Sequence, residues 1–200
     1  MKKLLLVLSL VVVSTALVFA SGQVETMEEE QEPIVLRLAE THVQDYPTTQ
    51  GNYYFAQLVE ERTNGRIKVE VYHSSQLGEE RAVIEQVQFG AIDFTRVSIS
   101  PLAAFSPSMD ALQMPYLYRD SDHMWKVLKG PLGDEFLASV EDAGFVGLAW
   151  YASGARSFYN SQGPIESVDD LAGLKIRVQE SELMVGLVEA LGAVATPMPF

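Results

Sequence analysis

The sequence predicts an α/β protein arranged as two units around parallel strands, and three observations predict it. Apolar runs and amphipathic stretches alternate from Ile34 to Val97 in the order strand, helix, strand, helix, strand. That order places helices over a parallel sheet. Ser153-Gly154 reads as a flexible joint, and the same alternation restarts after it and runs to Phe200. There is no cysteine among the 200 residues, so disulfides have no part in holding the units together.

Each element has its own signal. Ile34 to Ala39, behind Pro33, is a short apolar run of buried-strand type. Thr48 or Thr49 can cap a helix that runs to about Thr63, with Phe55, Leu58 and Val59 at helical spacing and Asn64-Gly65 as the stop. Ile67, Val69 and Val71 alternate with polar residues as a half-buried strand. A helix from Glu79 to Phe89 carries the stripe Val83, Ile84, Val87 and ends at Gly90. Ile92 to Val97 is the next strand, and residues 100–118 are loop-like. Helices are expected over 121–128 and 132–143, then a buried strand over 145–151. Beyond the joint, 157–159 reads as a short strand. Ser167 with Asp170 marks a one-turn helix, 174–178 a strand, Ser181 the cap of a helix to Leu191, and 193–196 a last strand.

The first twenty residues argue export. Lys2 and Lys3 precede the almost wholly apolar Leu4–Val18, and Val18-Phe19-Ala20 supplies a cleavage site after Ala20. The run is shorter than the ~20 residues that span a bilayer comfortably. Without cysteine, a lipid-modified N-terminus is excluded. Gln23 to Glu32 holds five Glu in ten residues and reads as a solvated tether. The organisation is therefore a signal peptide over 1–20, an acidic disordered tether over 21–32, a first lobe over 33–153 and the start of a second over 154–200. A second unit of about 50 residues is marginal alone, so further chain or a partner is expected to complete it.

The formal net charge is −13, and loss of Lys2 and Lys3 with the leader takes it to −15. Such a surface argues against nucleic acid and anionic membranes as partners. It also means that a site for an anion must rest on a few locally placed, desolvated cations.

Motifs of catalysis are missing. His42, His73 and His123 lie in separate segments without metal-ligand spacing, and each reads as an exposed or satisfied imidazole. There is no G-x-S-x-G elbow, P-loop or dinucleotide fingerprint, and no cofactor is implied. Carboxylates are plentiful, so an exported hydrolase using two of them stays open. In Leu174-Lys175-Ile176-Arg177-Val178, strand alternation puts Arg177 on the face opposite Ile176. A guanidinium near a strand's end can hold a carboxylate through two parallel hydrogen bonds, while on spacing alone a solvent-facing strand arginine is the better reading.

Several blocks occur together in order: Gln76-Leu77-Gly78, Gly90-Ala91-Ile92-Asp93, Leu112 to Leu117, Gly154-Ala155-Arg156, Asp169 to Val178, and Thr196-Pro197-Met198-Pro199-Phe200. Over roughly residues 34–200 they resemble the extracytoplasmic solute-binding subunit of tripartite ATP-independent periplasmic (TRAP) transporters. The Gly-Leu-Lys-Ile-Arg-Val block is the most specific. The resemblance implies a two-lobed, hinged α/β solute-binding fold, with the second lobe cut off at residue 200. It implies that Arg177 forms the main salt bridge to a ligand carboxylate, that Arg156 adds to the polar site and that Phe200 lines the pocket. Thr41, Glu80 and Ser98 fall at ligand-contacting or water-holding positions. Some sialic-acid-binding members carry an acid where Ser98 stands, which leaves simpler carboxylates ahead.

The function so implied is capture of a small organic acid, such as a dicarboxylate, keto acid or sugar acid. It is delivered in the periplasm to integral-membrane TRAP permease subunits, with no ATPase. Beside the hydrolase, a ligand-sensing receptor would use the same closed lobes.

Overall fold

The computed structural model describes residues 32–200, so the expected leader and almost all of the tether lie outside the described residues. The elements are β1 (Ile34–Glu40), α1 (Pro47–Arg62), β2 (Ile67–Tyr72), α2 (Glu80–Gln88), β3 (Phe94–Arg96), the short α3 (Ile99–Leu102), α4 (Ser121–Leu128), α5 (Pro131–Ala138), β4 (Lys175–Val178), α6 (Glu182–Ala190) and β5 (Val194–Pro197). Short 3₁₀ turns cover Pro107–Gln113, Glu141–Ala143 and Val168–Leu171. Among the described residues no helix is long and apolar enough to cross a membrane.

The predicted α/β class holds, and every strand pair is parallel. The first sheet has the order β2-β1-β3 and the second pairs β4 with β5. In the first sheet the chain leaves β1 for one side and later returns to pair on the other. The crevice at the carboxyl ends of β1 and β3 is therefore a topological switch point, where open α/β sheets bind ligands.

Three apolar clusters support this frame. Ala39, Val83 and Ile92 fasten α2 to the first sheet. Met109, Leu112, Leu128 and Val140 gather the helices that follow it, with Trp125 and Trp150 packed alongside. Ile176, Val178, Met184 and Val188 hold α6 on the second sheet. Gly133 sits where α4 and α5 meet, and a Cβ there would stand 1.9 Å from the Leu128 carbonyl oxygen.

Several boundaries differ from expectation for local reasons. α1 starts at Pro47, whose fixed φ suits the first helical position, and neither threonine is its cap. The Thr48 hydroxyl turns instead to Glu40 and His42. Segments 145–151 and 157–159 are not strands. Phe145 and Trp150 do turn inward, while Val146 and Leu148 are 74% and 61% exposed, so residues 145–150 keep some of a strand's in-out alternation. Among the described residues no neighbouring strand supplies their ladder bonds. The capping readings hold at Ser167, whose N–H and hydroxyl both donate to Asp170, and at Ser181, which accepts from the Met184 N–H.

Candidate functional site

The carboxyl end of the first sheet carries a buried polar network where apolar packing would be the default. Register sets its centre, because parallel pairing puts Glu40 beside Arg96. Both are buried, Glu40 at 1% exposure. Arg96 donates through Nε to Glu40 Oε2 at 2.7 Å and through Nη2 to Oε1. Its Nη2 also reaches Thr41 Oγ1 at 3.1 Å, and its Nη1 reaches Glu80 Oε1 at 3.4 Å. Asn52 Nδ2 donates to Glu40 at 3.0 Å from the second turn of α1. Burial alone would raise the Glu40 carboxyl. The hydrogen bonds and charge of Arg96, with the His42 N–H, outweigh it and hold the group below the usual carboxylate range.

His42 follows this centre on the β1–α1 loop. Its Nδ1 lies 2.9 Å from Glu40 Oε1, 3.3 Å from Thr48 Oγ1 and 2.5 Å from Arg96 Nη2. The ring stacks on Tyr46 with centroids 4.1 Å apart and meets Phe200 edge-on at 4.6 Å. Burial first, then the Arg96 charge, keep the imidazole below the usual histidine range, although Glu40 pulls the other way.

Glu80 opens α2 and links the network to the second sheet. Its Oε1 accepts the Ser98 backbone N–H at 2.7 Å, and its Oε2 accepts from Gln179 Nε2 at 3.3 Å. Gln179, just past β4, in turn accepts a hydrogen bond from Arg156 through its Oε1. Burial and the nearby charge of Arg177 lower the Arg156 guanidinium, against the pull of Glu80. Arg177 Nη2 donates to the carbonyls of Met198 at 2.7 Å and Pro199 at 2.5 Å, one residue before the Phe200 ring. Tyr151 closes another side. Burial and Glu40 raise its phenol, and its ring leaves no room for a Cβ at Gly51.

The six expected residues thus form one connected set. Thr41, Glu80 and Ser98 meet at Arg96 and α2; Glu80 reaches Arg156 through Gln179; Arg156 feels the charge of Arg177; and the chain Arg177 anchors carries Phe200 to His42. Ser98 enters through its backbone N–H. Phe200 is 63% exposed and meets His42 edge-on. Glu40, Arg96, Asn52, Gln179 and Tyr46 escaped the sequence reading. Glu40 and Arg96 did leave a trace, as ionisable residues at the ends of two strands.

The family of bacterial extracellular solute-binding proteins, family 7, matches residues 38–200. A solute-binding protein of Chromohalobacter salexigens is 35% identical over 159 residues, covering 80% of this chain and 47% of that protein. The C4-dicarboxylate-binding periplasmic protein of Rhodobacter capsulatus is 34% identical over 173 residues, 84% of this chain and 51% of that one. Among solved structures, a TRAP periplasmic solute-binding protein of Bradyrhizobium in complex with D-galacturonate is 47% identical with a TM-score of 0.80. That match covers 82% of this chain and 55% of that one. The chain spans about half the length of the curated relatives it matches. With its parallel sheets and this match over 38–200, the chain belongs to family 7 of the bacterial extracellular solute-binding proteins, a family of two-lobed α/β folds.

Proposed function

We propose that the protein containing this chain captures a small organic acid outside the cytoplasm and delivers it to the membrane permease subunits of a TRAP-type transporter. One observation carries the reading. In a chain of net charge −13, Arg156 feels the charge of Arg177, and neither has an acidic partner among the described residues. Two guanidiniums within reach of each other's charge repel unless an anion joins them, and a carboxylate is the planar anion their donors fit. Arg177 is held by Met198 and Pro199 through Nη2 alone, which leaves Nε and Nη1 without a partner among the described residues.

Residues 33–153 and 154–200 act as the two lobes, hinged at Ser153-Gly154. The Gln179–Glu80 hydrogen bond and the Phe200–His42 contact are links that closing lobes make. Exclusion of water then strengthens the ion pair between ligand and arginine, and the ligand shifts the population toward the closed form. The relatives support an acid as the solute: one is named for C4-dicarboxylates and one was solved with D-galacturonate. The reading is of binding without catalysis in the periplasm. Glu40 and Glu80, both buried, share Arg96, so neither is free to serve as a general acid.

Thermal unfolding of the full-length protein against dicarboxylates, keto acids, sugar acids and neutral sugars tests this. An acid at a hundred times its Kd stabilises the protein by about 2.7 kcal/mol, and Arg177→Ala abolishes the shift. No shift with any acid, or a shift that survives Arg177→Ala, refutes it.

A further inference from the structure

The two lobes are joined by a covalent crossing and meet again across the cleft, and one side chain touches both places. At the crossing, the Tyr46 hydroxyl donates to the Ser153 carbonyl at 3.4 Å, from 107 residues away in sequence. Across the cleft, Phe200 meets His42 edge-on with centroids 4.6 Å apart. The Tyr46 ring lies flat against the same imidazole, 4.1 Å away and within 6° of parallel. Tyr46 stands at the start of α1 but its side chain caps no helical N–H, so it is free for these two contacts.

The crossing chain is tied to α1 a second time. The Tyr151 ring fills the place of a Cβ at Gly51, which would stand 2.6 Å from Tyr151 Cε1. Residues 151–153 are thereby fastened to the first lobe. On the far side, Arg156 is fastened to Gln179, just beyond β4. Only Gly154 and Ala155 stand between the two attachments. Gly154 has a φ of +91°, and nothing lies within 4 Å of where its Cβ would be, so backbone conformation and not space calls for glycine there. The carbonyl that Tyr46 holds belongs to the rigid peptide plane leading into Gly154, so a turn of that plane costs the hydrogen bond.

We propose that Tyr46 is a positioning residue for closure. Its hydroxyl holds the peptide plane at the hinge in the closed arrangement, and its ring backs the imidazole that Phe200 meets. Opening breaks these contacts together, so Tyr46 sets the ratio of closed to open protein before any solute arrives. This rests on the reading of hinged closure at Ser153-Gly154, and not on which acid binds.

These 200 residues contain no cysteine, so Gln57→Cys on α1 and Glu189→Cys on α6, both exposed, place one spin label in each lobe of the full-length protein. Any cysteine beyond residue 200 is changed to serine. Pulsed electron double resonance then gives the distances between the labels, without solute and with D-galacturonate, beside calorimetry and a thermal melt. The parent shows a short and a long distance, and galacturonate enriches the short one. Tyr46→Phe lowers the ligand-free ratio of short to long roughly twofold to tenfold, the worth of one hydrogen bond. It weakens galacturonate by no more than that factor, and its melting temperature stays within about two degrees of the parent's. Tyr46→Leu, which loses the ring as well, lowers the ratio further. Tyr54→Phe, at a tyrosine 61% exposed, is the control and keeps the parent ratio. A Tyr46→Phe ratio equal to the parent's overturns the proposal while hinged closure stands. A single distance in the parent, unchanged by galacturonate or any other organic acid, counts against hinged closure itself, and Tyr46 falls with it.

Discussion

Gln179 donates to Glu80 across 3.3 Å, and this single bond joins the end of a strand in the second sheet to the first turn of a helix on the first. The same amide accepts from Arg156, so one side chain aligns a cation and an anion that never touch.

Gln179→Leu should therefore act on binding more than on folding. Arg156 loses its acceptor and Glu80 one donor, each costing about 1–3 kcal/mol where water cannot replace the partner. The expected result is acid affinity reduced roughly tenfold, with the ligand-free melting temperature changed by only a few degrees. Calorimetric titration beside a thermal melt checks it. Equal affinity in variant and parent would show that the amide plays no part in positioning Arg156.

The Glu40–Arg96 pair is expected to behave asymmetrically. Removing one partner, as in Arg96→Leu, strands a buried charge and costs about 3–5 kcal/mol. The double change Glu40→Leu with Arg96→Met should recover part of that loss and still abolish ligand binding. Urea unfolding of the two singles and the double gives the coupling energy. A double variant no better than the worse single would contradict the argument.

Acidification should weaken the fold in two stages. His42 has a folded pKa below its ordinary 6.5, so the unfolded chain binds the proton more readily and stability falls as pH drops below 6.5. Glu40 is held below its ordinary 4.5, and its contribution, complete above that value, is lost as pH falls further. Urea midpoints followed from pH 8 to pH 3 should show both, and His42→Gln should remove only the upper stage. A midpoint that rises on acidification through pH 6 would reverse the sign assigned here.

Gly133→Ala should be among the most damaging methyl additions. The new Cβ would meet backbone, the Leu128 carbonyl oxygen at 1.9 Å, and α4 and α5 would have to move apart. Overpacking of this kind costs about 1–3 kcal/mol, several degrees of melting temperature at this size. Gly163→Ala, where nothing lies within 4 Å, is the control and should melt like the parent.

What the sequence made legible follows physical range. α2 was readable because Val83 and Ile84, adjacent on one helical stripe, are both buried. The parallel sheets followed from alternation of strand and helix. Arg177 could be singled out because strand alternation separates it from Ile176, and the structure leaves it exposed while Ile176 is buried. Arg96 could not be, since its worth depends on a register that sets it beside Glu40, 56 residues away. Gln179 was hidden for a similar reason, since both its partners come from other segments. The start of α1 was misread because a threonine hydroxyl has two possible uses, and the buried Glu40 won the competition at Thr48. Residues 145–151 have strand composition, but a strand is defined by its neighbour as much as by its own residues.

The sequence has two tryptophans, Trp125 and Trp150, and both lie against one apolar cluster. Trp125 sits beside Lys129, whose ammonium is 5.1 Å from its ring. Trp150 has a buried indole N–H without a partner among the described residues, and the next residue, Tyr151, feels the charges of Glu40 and Arg96. The protein therefore carries its own fluorophore one residue from the cleft. In Trp125→Phe the indole left among these 200 residues is Trp150, so solute arrival and departure should be followed at that position by rapid mixing without a dye.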